Sequence, residues 1–185
     1  MTAALTMERI AETSPRFKAR MAGVLYFLSV LTAASGETFL RGRLAFAAGY
    51  IAILGMAAVT LISYDILKPV NRSLSLLAVP FAFVGLAFEV FRWQPQGLNV
   101  ALVFHGIYCI LVGYLIFRST FLPRTLGALE AIAGLAWLTY LSNPLVNHLS
   151  PYNLAGGLLG DVSLFLWLLV MGVNVQRWQE QVDAA

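Results

Sequence analysis

His105 and Asp161 are an imidazole and a carboxylate set in long apolar stretches, with no lysine or arginine within a helical turn of either. Such a pair can hold a proton, hydrogen-bond a polar ligand, or contribute to a metal site. Four more ionisable residues, Glu37, Asp65, Glu89 and Glu130, each occupy an apolar stretch of their own. If these stretches lie in hydrocarbon, each charge costs about 2.5–3.5 kcal/mol on the mildest scale, so such groups face a bundle interior, a wet cavity or a partner.

Local partners divide the six. Glu37 has Arg41 four residues on, Glu89 has Arg92 three on, and Asp65 has Lys68 three on. These spacings put both groups on one helix face, where pairing or snorkelling near the interface is the structural reading. Glu130 lies close to Arg124 and a helix N-terminus, which suits charge compensation and topology. His105 and Asp161 have no such partner and are the residues expected to bind a ligand or proton, with Glu37 and Glu89 at the mouth of the same pocket. Two glutamates, an aspartate and a histidine would suit zinc, manganese or iron. They come from four helices without a His-x-x-x-His or Glu-x-x-His pair, so no residue is assigned to a metal and no cofactor is named. Cys109, one turn after His105, offers a soft ligand but reads first as a buried structural cysteine. There is no Gly-rich phosphate loop, nucleophile elbow or bis-histidine haem pair. His148 sits among Asn147, Ser150 and Pro151, as an exposed loop histidine.

The elements that carry these residues follow from composition. The chain has 185 residues, 59% hydrophobic and 11% charged, far below the quarter charged of a soluble domain. Apolar runs of about twenty residues can cross a ~30 Å hydrocarbon core at 1.5 Å per residue. Spans are expected at 21–40, 44–67, 73–91, 97–117, 124–142 and 153–176, giving an all-α polytopic bundle of six transmembrane helices. Residues 1–20 and 178–185 are then tails around a transmembrane domain at 21–177. Short connections favour antiparallel neighbours and leave no room for a soluble domain. Ser14-Pro15 marks the break before the first span. Met1 to Arg20 lacks the apolar region and cleavage site of a secretory signal peptide, so the first helix is expected to remain.

Basic residues set the orientation. With the N-terminus inside, Arg9, Arg16, Lys18, Arg20, Lys68, Arg72, Arg118, Arg124 and Arg177 are cytoplasmic, against Arg41, Arg43 and Arg92 outside. Both termini are therefore expected in the cytoplasm. The net charge of +3 comes from helix flanks rather than a basic patch, which excludes nucleic acid as a partner. Small residues run in rows with the ionisable ones: Ala101, Cys109 and Gly113 with His105; Gly156, Gly157 and Gly160 beside Asp161; Ala78, Ala82 and Gly85 before Glu89. Glu37 follows Ser29, Ala33 and Gly36, and Glu130 lies between Gly127 and Gly134. Close helix approach at small residues turns these groups inward. A faint echo relates Gly23-Val24-Leu25-Tyr26 and Phe39-Leu40-Arg41 to Gly106-Ile107-Tyr108 and Phe121-Leu122-Pro123-Arg124, the pattern of two inverted three-helix halves.

Pro69-Val70-Asn71-Arg72-Ser73-Leu74 resembles a recurrent element of the bacterial family catalogued as domain of unknown function 4386. Gly113-Tyr114-Leu115-Ile116-Phe117-Arg118-Ser119, running into Phe121-Leu122-Pro123-Arg124-Thr125-Leu126-Gly127, is similar to the same family. So are Phe39-Leu40-Arg41-Gly42-Arg43-Leu44 and Leu166-Trp167-Leu168-Leu169-Val170 before Gly172. The resemblance implies a small multi-span protein of the bacterial inner membrane, without an established activity. Members commonly carry a longer outer segment after the Phe-x-Arg-Gly-Arg-Leu element, and an arginine early in the third span where this chain has Ala82.

The expected partners are the lipid bilayer and a small molecule or ion. Three functional readings stand at this point. The first is transport or binding through an outward-facing polar pocket lined by His105 and Asp161. The second is an intramembrane enzyme, metal-dependent in one version, acting on a lipid or quinone-like substrate. The third is a non-catalytic scaffold or assembly partner.

Overall fold

A computed structural model describes residues 14–184, except the side chain of Glu37. These residues form eight helices and no strand: α1 (Pro15–Thr38), α2 (Arg43–Leu67), α3 (Arg72–Phe91), α4 (Val100–Arg118), α5 (Arg124–Leu138), α6 (Asn143–Leu149), α7 (Tyr152–Val170) and α8 (Val175–Asp183). Five of them, α1, α2, α3, α4 and α7, are long and apolar enough to cross a membrane.

The helix ends follow local chemistry. Pro15 opens α1 at its first turn, where a missing N–H costs nothing, so the helix begins six residues before the expected span. Asn71, Asn99 and Asn174 cap α3, α4 and α8, each accepting a backbone N–H of its helix's first turn. The last span was expected to reach residue 176, but Gly172 turns the chain at φ 69° and the helix ends at Val170. The remaining residues form α8, tied down by Trp178 Nε1–H donating to the Ile66 carbonyl at 2.9 Å. The connection between the last two expected spans also differs, since α6 forms two turns within it. α5 has only 15 residues, about 22 Å of rise, and is followed by a 3-10 turn at Thr139–Leu141.

Packing partners arrange the six long helices as a closed ring in the order α1, α2, α3, α4, α5, α7 and back to α1. The most extensive seam is α4 against α5. Gly106 and Gly113 on one helix meet Gly134 and Gly127 on the other, and a Cβ at any of the four would come within 2.6–2.8 Å of facing backbone, or 2.5 Å at Gly127. Glycines there let two backbones touch, which is how membrane helices gain van der Waals contact without a hydrophobic driving force. The end of the ring bearing residues 68–71 and 119–123 is solid. Ile66, Leu67, Leu115, Ile116, Phe121, Leu122, Leu126 and Val173 fill it, all buried. The end bearing residues 39–42 and 92–99 is hollow.

Candidate functional site

The hollow is a cavity of about 720 Å³ to which all six ring helices contribute. Arg41, Arg92, Trp93 and Glu89 lie at its mouth, near the loops. Tyr50, Ile53, Met56 and Phe88 line the walls, and His105, Tyr108, Trp137, Asp161 and Phe165 lie deeper. Arg92 is placed by its left-handed backbone at the end of α3 (φ 48°), and its guanidinium sits 4.5 Å from the centre of the Phe46 ring. This cation–π contact holds a positive charge at the rim.

At the deep end, three helices converge. His105 and Cys109 stand one turn apart on α4, on the face that the Gly106–Gly134 contact presses toward α5. Asp161 comes from α7, which approaches α5 through two more glycines. A Cβ on Gly157 would lie 2.4 Å from the Trp137 ring, and one on Gly160 2.5 Å from the Leu129 carbonyl oxygen. His105 Nε2 is 3.4 Å from Asp161 Oδ2 and 3.4 Å from Cys109 Sγ. Cys109 Sγ is 3.7 Å from Asp161 Oδ1, and Trp137 Nε1–H donates to Asp161 Oδ2 at 3.1 Å. The indole thus orients the carboxylate, and its ring meets that of His105 edge-on at 6.1 Å. Glu130, on α5, is 1% exposed and neighbours Cys109 and Asp161, with its Oε2 lacking a hydrogen-bond partner.

Sequence reasoning therefore named two members of this cluster, His105 and Asp161. Glu89 lines the same cavity nearer the mouth and interacts electrostatically with His105. Glu37 is carried by α1, and its side chain lies outside the described residues. Asp65 pairs with Lys68, as its spacing predicts, and also with Lys18 of α1. Glu130 differs from its expected place beside Arg124. Arg124 lies over the Phe117 ring at 6.0 Å, and Glu130 points into the cluster instead. Its position between Gly127 and Gly134 was the usable signal, because both glycines face α4. Trp137 is not marked by the sequence, because an indole carries no charge and gives no spacing pattern.

Residues 86–172 match a family model described as Domain of unknown function (DUF4386). A protein of Archaeoglobus fulgidus described as an uncharacterized protein is 28% identical over 134 residues, covering 66% of this chain and 80% of that one. No solved structure matches the chain. The matched segment runs from the end of α3 to just past α7 and includes every residue of the His105–Cys109–Asp161–Glu130 cluster. Over that segment the chain is a match to the DUF4386 family, as its motifs imply.

Proposed function

We propose that the protein is a six-span bundle of the bacterial cytoplasmic membrane, both termini inside, that binds and transports a small molecule through a pocket open to the outer side. The sixth crossing is α5 together with its 3-10 turn, enclosed in the ring between α4 and α7. Orientation rests on charge. Lys18, Lys68, Arg118 and Arg124 gather at the solid end, while Arg41, Arg43 and Arg92 mark the hollow end.

The observation that carries the reading is the cavity itself. At about 720 Å³ it has the size of sites that enclose drug-sized ligands. Its apolar walls with polar groups at both ends fit a molecule with an apolar body and two polar termini. One terminus would meet His105 and Asp161, the other Arg41 and Arg92. A titrating imidazole beside a carboxylate could couple loading to a proton.

Two measurements test this. In a Cys109→Ala background, Ile53→Cys on the cavity wall is expected to react with a membrane-impermeant thiosulfonate added outside intact cells, and Ser73→Cys, exposed at the solid end, is not. The reverse pattern overturns the orientation. A panel of amphiphilic anions is then screened by thermal unfolding of purified protein. A ligand at a hundredfold over its Kd should stabilise wild type by about 2.7 kcal/mol. That gain should vanish in His105→Ala/Asp161→Asn, and a gain of the same size in the double variant refutes the pocket.

A further inference from the structure

We infer that His105, Cys109 and Asp161 form a three-ligand site for a zinc-class divalent transition metal at the floor of the cavity. The inference stands on the cluster's geometry; it shares His105 and Asp161 with the ligand reading, and the cobalt signal below tests it separately from ligand-induced stabilisation.

The distances carry the argument. A tetrahedral ion with Zn–N and Zn–O bonds near 2.0–2.1 Å and Zn–S near 2.3 Å sets its ligand atoms about 3.3–3.6 Å apart. The nearest-atom separations here are 3.4, 3.4 and 3.7 Å, with the Asp161 carboxylate turning one oxygen to the imidazole and the other to the sulfur. With one ligand atom taken from each residue, all three lie within 4.8 Å of one another. A nucleophile–base–acid relay would use the two imidazole nitrogens at opposite ends. Here the same nitrogen, Nε2, faces both the sulfur and the carboxylate, so the three groups aim at one point and not along a chain.

Charge and surroundings agree. Glu130 adds a second buried carboxylate behind Cys109, and its Oε2 has no hydrogen-bond partner. Among the described residues, no lysine or arginine pairs with Glu130 or Asp161. A bound cation would supply the missing countercharge, and binding would release the Cys109 thiol proton to solvent. The Trp137 N–H already holds the aspartate, as outer groups do in metal sites. His105 and Asp161 line the cavity whereas Cys109 is fully buried, so the fourth coordination position opens into the cavity and the ion has a path in. One imidazole, one thiolate and one carboxylate suit zinc better than magnesium or calcium, which take oxygen sets. An open position in a lipid-facing protein is also what a metal-assisted reaction on an apolar substrate requires.

The test is cobalt(II) titration of the purified full chain after chelator treatment, followed by absorption. The expected result is one cobalt per chain with a thiolate-to-cobalt charge-transfer band, bleached by equimolar zinc. Because Cys109 is the chain's single cysteine, that band can come from nowhere else within it. His105→Ala and Asp161→Asn should each weaken cobalt binding at least tenfold, and Trp137→Phe about 10–100-fold. Cys109→Ser should remove the band while keeping helicity and a monodisperse elution profile. Folded wild-type protein that gains no thiolate band at saturating cobalt overturns the proposal. So does a band whose affinity is indifferent to His105→Ala and Asp161→Asn.

Discussion

The two halves of the ring are built differently. Along their most apolar stretches, half of the residues of α4 and 39% of those of α7 are buried, against 22% in α2 and in α3 and 28% in α1. The α4–α5–α7 half closes backbone on backbone through Gly106, Gly113, Gly127, Gly134 and Gly160, with Gly157 against the Trp137 ring. The α1–α3 half has fewer such contacts, and at Gly49 an added Cβ would meet nothing within 4 Å. The difference separates two tasks. The tightly packed half carries His105, Cys109, Glu130, Trp137 and Asp161, where positions must hold to a fraction of an ångström. The looser half supplies most of the cavity wall, where shape matters more than exact placement.

Substitutions that treat the halves alike should expose this contrast. Gly134→Val drives a side chain into the Gly106 carbonyl, 2.6 Å from the new Cβ, and is expected to cost about 3 kcal/mol or more and to disperse the cluster. Gly49→Ala on α2 should leave folding intact or raise stability by up to about 1 kcal/mol through helix propensity. Equal thermal unfolding of the two variants in detergent would erase the distinction. Trp137→Phe keeps the ring but removes the hydrogen bond to Asp161, with an expected loss of about 0.6–1.7 kcal/mol, as for polar contacts between membrane helices. A larger loss would mean the indole also braces α7 through its contact with Gly157. The smallest effect belongs to the solid end. Lys18→Ala removes one of two partners of Asp65 in a partly exposed group, for about 0–1 kcal/mol that shrinks with added salt. A loss that is large and insensitive to salt would show this end to be as tightly specified as the α4–α5 seam.

Much of this was legible in the sequence. Apolar runs and short polar connections are sufficient for an all-helical membrane protein, because only helices or closed barrels satisfy their backbone in lipid. The rows Ala101–Cys109–Gly113 and Gly156–Gly157–Gly160 already turned His105 and Asp161 inward, and both are in the cluster. Asp65 with Lys68 followed from spacing alone, since residues three apart share a helix face. Spans slipped where capping decided the end: Gly172 stops α7 early and Asn174 starts α8, a choice that hydropathy does not see.

Only the tertiary structure decided which chemical groups meet. Glu130 is six residues from Arg124 and twenty-one from Cys109, yet it faces the cysteine, because the glycine seam rotates that side of α5 toward α4. Lys18 and Asp65 are forty-seven residues apart and pair through the α1–α2 contact. The sequence by itself determined the environment, the helices and the cost of each buried charge, all of which depend on local composition. The convergence of an imidazole, a thiol and a carboxylate on one point depends on how the helices rotate and approach across the ring, and that geometry exists only once α4, α5 and α7 have packed.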